Sequence, residues 1–413
     1  MTDGELPIRA GRDGDWGPVD ALLTRAFLGP MDKDLHEIEA GTFEPERALI
    51  VEDDGDVVGT AAAFTREMTV PGAVLPAAHV TMVSVASTHR RRGLLTRMMH
   101  RQLREVRDAG AEPFATLWAS EGRIYPRFGY GLASQQLSFE IDTREAVLQE
   151  GWQRPADAAG RLRDGEPGTL LKDMQAVYER LRPQRPGWSS RNDAWWRYVL
   201  ADSEARREGA SPRRAAVLYG PDGPTGYAFW RTKRGWTNGP NGEVHLGELV
   251  AEDPASYTAL WRFVLSIDLV RSVRFHFGSL DEPLLHLVAE ISRLGGKMWP
   301  GLWVRLVDLG AALAGRRYAT PVDVVFDVTD PLLPENAGRW RLTGDRDGAA
   351  CAPTTATPDL ACDVRELGAA YLGGTSLGQL AAAGRVEELR PGALLAADAA
   401  FGWHRAPGGI EIF

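Results

Sequence analysis

The sequence predicts an α/β protein made of three successive units, of which the first two are related. Three observations support this prediction. A strand–loop–helix–strand pattern spans residues 79–119, and a second copy of its strand and helix spans residues 243–269. A separate set of strands and helices begins near Met298. Because 413 residues are too many for one ordinary core, two or three domains are expected.

Composition narrows the function classes. The formal charge is −9, with 56 acidic and 47 basic residues, which argues against a nucleic-acid partner and suits a cationic substrate. No apolar run is long enough to span a membrane, and the N-terminal residues do not resemble a signal peptide, so a cytoplasmic protein is expected. Cys351 and Cys362 have no metal-ligand spacing, so we expect neither a metal site nor a disulfide framework.

The first unit starts with a helix and a hairpin. Apolar spacing predicts a helix over Asp15–Phe27, and strands at Ala48–Val51 and Val57–Phe64 flank a turn at Asp53-Asp54-Gly55. An alternating strand, Gln136–Ile141, is expected to close this unit.

The most informative segment is residues 79–96. An apolar strand ends in Val83-Ser84-Val85, a loop then brings Arg90, Arg91, Arg92 and Gly93 together, and an amphipathic helix follows at Leu94. Free N–H groups at a helix N-terminus attract anions, and a glycine allows the backbone to approach a phosphate closely. Three guanidinium groups can neutralise a diphosphate. The segment therefore predicts an anion-binding loop, with a solvated arginine surface as the alternative.

The second unit repeats the strand and the helix of the first but lacks the anion-binding loop. A charged linker is expected over residues 142–165, followed by a helix over Leu170–Leu181. Trp188, Trp195 and Trp196 are interpreted as inter-domain packing. After the strand Glu243–Val250 comes Glu252-Asp253-Pro254, so acidic residues replace the arginines and the glycine. We interpret this unit as a degenerate copy that has lost its anion site.

Two short motifs carry a family resemblance. Arg90 to Leu95 resembles the Q/R-x-x-G-x-A/G pyrophosphate loop of the GNAT acetyltransferases. The segment from Tyr125 to Tyr130, after a buried strand at Pro113–Ala119, resembles their Y-x-R/K-F/L-G-F/Y signature. In the third region, the segments "LAGRRYATPVDVVFDVTD" and "PDLACDVRELGAAYLGGTSLGQLAAAGRV" look like a sterol-carrier-type domain. Together the three regions resemble the enhanced intracellular survival (Eis) family of actinobacterial acetyltransferases.

The resemblance implies a fold and an assembly. It implies tandem GNAT domains, the second degenerate, followed by a sterol-carrier-protein-like α/β domain. We place these domains at residues 1–145, 146–297 and 298–413. A homohexamer made of two trimers is implied by the resemblance alone.

The resemblance also implies acetyl-CoA as the co-substrate and assigns residues to its site. The pantetheine arm would lie between two splayed strands, against the main chain of Val83 and Val85. The residues expected to bind acetyl-CoA are Val83, Ser84, Val85, Arg90, Arg91, Arg92, Gly93, Leu94, Leu95, Thr96, Ala119 and Ser120.

Two catalytic groups follow from the resemblance. Tyr125 would protonate the departing thiolate, a role that suits a phenol neutral at pH 7; packing with Phe128 and Tyr130 is the alternative. The C-terminal carboxylate of Phe413 would serve as the base, with a final strand docked only for packing as the alternative. Met82 and Glu411 are expected to contact the substrate.

The sequence therefore predicts an N-acetyltransferase acting on a cationic amine, such as an aminoglycoside or polyamine. An acetyltransferase of protein or peptide lysines is the first alternative. A non-catalytic protein that binds coenzyme A or a lipid is the second.

Overall fold

Three β-sheets with their packed helices make up the molecule. The structure, a computed structural model, describes residues 5–29, 32–149 and 160–413. Among these residues no helix has the length and apolar character needed to cross a bilayer.

The first sheet contains seven strands in the order β1-β2-β3-β4-β5-β14-β6. Its strands are β1 Ile8–Ala10, β2 Ala48–Asp53, β3 Asp56–Val70, β4 Ala73–Val85, β5 Phe114–Trp118, β6 Gly131–Leu132 and β14 Leu302–Leu306. The helices of this part are α1 Trp16–Ala26, α2 Lys33–Ala40 and α3 Leu94–Ala109. The predicted hairpin, the helix near Asp15 and the buried strand after residue 113 are all present.

The second sheet also has seven strands, in the order β13-β7-β12-β11-β10-β9-β8. Its strands are β7 Gln135–Asp142, β8 Arg161–Gly165, β9 Arg214–Gly220, β10 Gly223–Lys233, β11 Gly242–Ala251, β12 Val270–Gly278 and β13 Lys297–Pro300. Its helices are α4 Pro167–Leu181, α5 Asp193–Val199, α6 Glu204–Arg207, α7 Pro254–Leu265 and α8 Leu284–Leu287.

The third sheet has five strands in the order β17-β16-β15-β18-β19. The strands are β15 Val322–Thr329, β16 Gly338–Gly344, β17 Ala349–Pro353, β18 Leu360–Asp363 and β19 Val386–Glu388. The helices of this part are α9 Leu309–Gly315, α10 Val364–Ala370, α11 Leu377–Ala382 and α12 Ala393–Phe401. Its core is continuous with the first sheet, because Met68, Ala77 and Phe114 belong to the same buried cluster as residues of the third sheet.

The first two sheets exchange strands. β14 lies far along the chain, yet it inserts between β5 and β6 of the first sheet. Conversely, β7 follows β6 in sequence but pairs with β12 and β13 of the second sheet. The prediction that Gln136–Ile141 closes the first unit is therefore wrong, although the strand itself forms. The division of the chain at residues 145 and 297 stays a prediction.

The expected linker over residues 142–165 is partly replaced by regular structure. β8 pairs antiparallel with β9 at the edge of the second sheet. Its charged composition suits an edge strand, because most of its side chains face solvent. The central part of this segment, residues 150–159, lies outside the described residues.

Candidate active site

The site begins where two parallel strands separate. β4 and β5 pair only from Ala77–Phe114 to His79–Thr116. Beyond this point β4 contains a bulge, since the register against β3 shifts by one residue and Met82 takes a φ of +52°. A bulge bends and twists its strand. Beyond His79, β4 therefore has no pairing with β5, which leaves a gap between the two strands, as the resemblance to GNAT enzymes implies.

An exposed cationic loop lies at the end of β4. Gly93 precedes α3 with a φ of +78°, and no side chain caps the helix N-terminus. A Cβ at Gly93 would meet no protein atom within 4 Å, so this face is open. Arg90, Arg91 and Arg92 are exposed. Within the described residues, no hydrogen bond or ion pair occupies their guanidinium groups, so the loop fits an anionic diphosphate.

The helix behind the loop is fixed by its buried face. Leu94 is buried in the core between α3 and the first sheet, so only its backbone is available to a ligand. Leu95 and Thr96 are partly buried in the first turn, where backbone N–H groups have no helical partner. α3 ends at Gly110, in the left-handed region, as the sequence predicts.

Tyr125 lies at the start of a short 3₁₀ turn after β5. Its ring is 5.9 Å from that of Tyr130 in an edge-on arrangement, and it is largely buried. Burial, followed by the negative charge of Glu121, raises the pKa of Tyr125 to about 12. The phenol therefore keeps its proton across the ordinary range of pH. The packing alternative and the acid role are compatible, because Tyr125 also lines a cavity.

A cavity of about 710 Å³ joins the two predicted catalytic residues. Six of the predicted site residues line it: Met82, Val83, Ala119, Ser120, Tyr125 and Phe413. Ser84 and Val85 at the end of β4, residues 90–93 of the cationic loop and residues 94–96 in the first turn of α3 do not line the cavity. Apart from Glu411, the predicted residues thus divide between the cavity and the segment from the end of β4 to the start of α3.

Acidic residues of α1 and α2 line the same cavity and were missed by sequence reasoning. Among the described residues, the lining carboxylates are those of Asp20, Asp32 and Glu39, and the lining basic side chains are those of Arg206 and His36. Asp20 Oδ2 lies 2.5 Å from Nδ1 of His36. Burial raises the pKa of Glu39 to about 7, and the neighbouring carboxylates reinforce the shift against the opposing charge of Arg206. Because α2 itself was not predicted, the sequence did not indicate that these residues lie together.

The second unit contributes directly to the cavity. Trp195, Tyr198 and Arg206 line it from α5 and α6. The Trp195 ring packs edge-on against Phe64, with centroids 4.9 Å apart, while Tyr178 stacks on Trp188. The interpretation of the tryptophans as inter-domain packing is confirmed for Trp195, which contacts the first sheet.

The C-terminal segment is held by buried charges. Glu411 accepts a hydrogen bond from Arg66 of β3, and its second oxygen lies 2.5 Å from Nε of Arg191. Both carboxylate oxygens are thus occupied, and Glu411 does not line the cavity. The expectation that Glu411 contacts a cationic substrate is not supported, because its charge is already neutralised. The arginines outweigh burial and hold the pKa of Glu411 below its ordinary value.

The last residue lies against a buried histidine. The Phe413 ring is 4.7 Å from that of His79. Nδ1 of His79 is 3.0 Å from the Ala77 carbonyl oxygen, which can only accept, so Nδ1 holds the proton and Nε2 accepts from the Ser189 hydroxyl at 2.7 Å. Burial, followed by the charge of Arg66, lowers the pKa of His79 well below its ordinary value. Residues 402–413 form no strand, contrary to the docked-strand alternative.

The corresponding position in the second unit is blocked. The Asp253 side chain accepts hydrogen bonds from the backbone N–H groups of Ala255 and Ser256 at 2.8 and 2.9 Å. The N-terminus of α7 is therefore capped by a carboxylate where α3 leaves its own N-terminus open. Glu252 is paired with Arg180. These contacts explain why this unit would repel a diphosphate.

Family comparisons agree with this architecture. Residues 7–133 and residues 187–306 each match an acetyltransferase (GNAT) domain. Residues 309–408 match a sterol carrier protein domain. The fold and site thus define an acetyltransferase with two GNAT domains and a sterol-carrier-like third domain.

Relatives match along nearly the whole chain. An uncharacterized N-acetyltransferase of Streptomyces avermitilis is 48% identical over 403 residues, which cover 97% of this chain and 98% of that protein. N-acetyltransferase Eis of Mycobacterium tuberculosis is 36% identical over 94% of this chain and 95% of its own. The crystal structure of Eis1 from Mycobacterium abscessus matches with a TM-score of 0.84 and 32% identity, covering 98% of this chain and 100% of that one. The chain belongs to the Eis family of N-acetyltransferases, and a GNAT fold of this kind implies the use of acetyl-CoA.

Proposed function

We propose that the enzyme transfers acetyl directly from acetyl-CoA to a primary amine of a polycationic acceptor, such as an aminoglycoside or a polyamine. Tyr125 acts as the general acid and the terminal carboxylate of Phe413 as the general base. One observation carries this proposal: Tyr125, Phe413 and a set of acidic side chains line a single cavity.

The donor side of the proposal rests on the cationic loop. Arg90, Arg91 and Arg92 would hold the diphosphate together with the first N–H groups of α3. The gap between β4 and β5 would take the pantetheine arm, with its thioester in the cavity that Tyr125 lines. Neither cysteine lines the cavity, so the proposal needs no acyl-enzyme step.

The acceptor side rests on charge. Asp20, Asp32 and Glu39 give the cavity an excess of negative charge over Arg206, which favours an acceptor with several ammonium groups. Such an acceptor can keep some of its ammonium groups on these carboxylates while another amine loses its proton and reacts.

Each protein group then moves one proton. The amine nitrogen forms a bond to the acetyl carbonyl carbon as the carbon–sulfur bond breaks. The Phe413 carboxylate accepts the proton released by the amine, and the Tyr125 hydroxyl donates its proton to the departing sulfur. With reference pKa values of about 10 for a primary ammonium and about 3.5 for an α-carboxyl, direct proton transfer from the acceptor to the carboxylate costs about 8 kcal/mol. Burial of the terminal carboxyl would reduce the cost of this proton transfer, and capture of the neutral amine would remove it.

The test measures thiol release from acetyl-CoA with kanamycin, spermidine and a lysine-containing peptide as acceptors. We expect a higher kcat/KM for the polycations than for the peptide. Tyr125→Phe is expected to lower kcat by about 10²- to 10⁴-fold, the usual worth of a general acid. One glycine appended after Phe413 should cause a comparable loss, because it moves the terminal carboxylate.

A matched control is available next to Tyr125. The hydroxyl of Tyr130 is buried and has no hydrogen-bond partner among the described residues, so Tyr130→Phe removes a phenol oxygen from the adjacent ring and breaks none of the hydrogen bonds described. Its kcat should stay within about twofold of wild type. Preference for the peptide would assign lysine acceptors instead. Coenzyme or lipid binding without turnover of any amine would favour the non-catalytic alternative.

A further inference from the structure

We infer that Glu411 is a positioning residue: clamped between Arg66 and Arg191, it sets where the chain's terminal carboxylate lies in the cavity. This inference rests on the proposed role of that carboxylate as the base. It concerns the buried ion cluster behind the cavity, which the proposed proton transfers do not use.

The clamp joins three distant parts of the chain. Arg66 belongs to β3 of the first sheet, and Arg191 lies just before α5 in the second unit. Arg191 also bonds Glu248 of β11, with its Nη2 2.5 Å from Glu248 Oε1. Glu411, two residues from the chain end, therefore ties the tail to both sheets at once.

The geometry leaves the clamp little freedom. The side chains of Arg66 and Arg191 are 2% and 0% exposed. The Arg66 guanidinium lies 3.9 Å from the centroid of the Trp195 ring, and that of Arg191 lies 4.1 Å from the centroid of the Tyr178 ring. Arg66 also donates to the Ser190 carbonyl oxygen at 2.6 and 2.8 Å. With hydrogen bonds on their edges and aromatic rings on their faces, both guanidinium groups are fixed.

Two positive and two negative groups make the cluster neutral. Glu248 also accepts a hydrogen bond from the Tyr227 hydroxyl at 2.7 Å. Burial of such a cluster is a poor way to gain stability, because apolar side chains of the same volume often serve as well or better. The directional hydrogen bonds of the cluster do, however, fix one arrangement of its side chains. Because the cluster lies next to the chain end, that arrangement fixes the position of the C-terminal residues.

Other contacts restrain the tail up to the same point. Gly408 N–H donates to the Pro186 carbonyl oxygen at 3.0 Å, and the Gln136 side chain donates to the Gly409 carbonyl oxygen at 2.6 Å. A Cβ at Gly409 would lie 2.4 Å from the Trp118 ring, so the tail passes directly over the end of β5. Beyond Glu411 only Ile412 and Phe413 remain, and Ile412 is half exposed. Glu411 is thus the last charged anchor before the proposed base.

The test is a double-mutant cycle between Glu411→Gln and the one-glycine extension after Phe413, with kcat and the KM for acetyl-CoA measured for all four proteins. Glu411→Gln in the natural chain should lower kcat by about 10- to 100-fold, the usual cost of a displaced catalytic group. The KM for acetyl-CoA should stay within about twofold, since the cationic loop is not touched. In the extended chain the same substitution should change kcat by less than about twofold, because the base is already displaced.

The control is another buried carboxylate with two arginine partners, in the third domain. Glu366 accepts from Arg365 and Arg385, both at 2.8 Å, so Glu366→Gln also leaves two arginines without their partner, although these two arginines are partly exposed. It should leave kcat unchanged. Glu411→Asp serves as a second variant, since it keeps the charge but shortens the side chain. It should fold with a near-native Tm and still lower kcat.

The outcomes separate the two proposals. Equal losses of kcat from Glu411→Gln in the natural and extended chains would overturn the positioning role and leave the terminal base intact. An extension that costs no activity would overturn the terminal base and the positioning role with it. Wild-type kcat in both Glu411→Asp and Glu411→Gln would overturn the positioning role alone.

Discussion

Burial sets the proton state of the single residues that matter for the site. The largely buried Tyr125 stays a neutral phenol at any pH used for an assay, because its pKa is raised to about 12. Burial lowers the pKa of His79, so its imidazole stays neutral, and its ring packs against that of Phe413. Glu39 differs from both, since its pKa of about 7 places its titration within the working range.

The titration of Glu39 leads to a prediction about acceptor binding. Because the pKa is raised to about 7, the side chain is an anion above pH 7 and neutral below it. Glu39→Gln, which is always neutral, should raise the KM for a polyamine about fivefold at pH 8.5 and by less than about twofold at pH 6. The measurement is initial rate against spermidine concentration at both pH values.

The control for Glu39 lies on the same helix. Glu37 is exposed on α2 and does not line the cavity, so Glu37→Gln makes the same change of charge outside it. Its KM should match wild type at both pH values. An effect of Glu39→Gln that is equal at pH 6 and pH 8.5 would contradict the role of its charge.

Among the helices and strands, α3 can be predicted because the residues that define it are close together in the sequence. Its apolar spacing, the arginines and glycine before it, and Gly110 after it all lie within some twenty residues. The same holds for the hairpin of β2 and β3 and for the strand before Tyr125. α2 was missed since its apolar face is short, and it buries no residue completely.

The two glycines that bound α3 allow a prediction about the cationic loop. Gly93 and Gly110 have φ values of +78° and +68°, and a Cβ on either would meet no atom within 4 Å. Gly93→Ala and Gly110→Ala should therefore each destabilise the fold by about 1–2 kcal/mol, the cost of a left-handed alanine. Only Gly93→Ala should also weaken acetyl-CoA binding, by about tenfold, because its methyl group projects into the face proposed for the diphosphate.

Thermal unfolding and calorimetric titration of acetyl-CoA measure the two effects separately. The pair is matched in conformation, so equal losses of Tm are expected. Equal losses of affinity would show that loop strain, and not contact with the diphosphate, explains the weaker binding.

At the scale of the whole molecule, the charged cluster behind the C terminus predicts a pH-dependent stability. The pKa of Glu411 is lower in the folded protein than its ordinary value of 4.5. Its contribution is therefore complete above pH 4.5 and is lost as the pH falls through the folded-state pKa. Glu411→Gln should lower Tm by about 5 °C at pH 7, because it leaves buried arginines uncompensated, and by progressively less as the pH falls below 4.5.

Differential scanning at a series of pH values tests this prediction. A Tm difference between wild type and Glu411→Gln that stays constant from pH 7 to pH 3 would contradict it. Glu37→Gln, whose carboxylate is exposed, should show no comparable difference at any pH.

Long-range pairing marks the limit of prediction from this sequence. The alternation in Gln136–Ile141 predicts a strand, but nothing within it indicates whether its partner is β6 or β12. The acidic side of the cavity was missed for the same reason, since Asp20, Glu39 and Arg206 come together only through packing of α2 against the second unit. The pairing of Glu411 could not be predicted either, because its partners, Arg66 and Arg191, lie 345 and 220 residues away along the chain.

The insertion of β14 between β5 and β6 has a consequence for biosynthesis. A ribosome that has released the loop with its three arginines and Tyr125 has not yet made Leu302–Leu306, so β5 still has an unpaired edge. Nearly two hundred further residues must emerge before that edge is covered. The nascent enzyme thus passes through a long interval in which an incomplete sheet is exposed to aggregation, and the second unit must be translated before the first can finish folding.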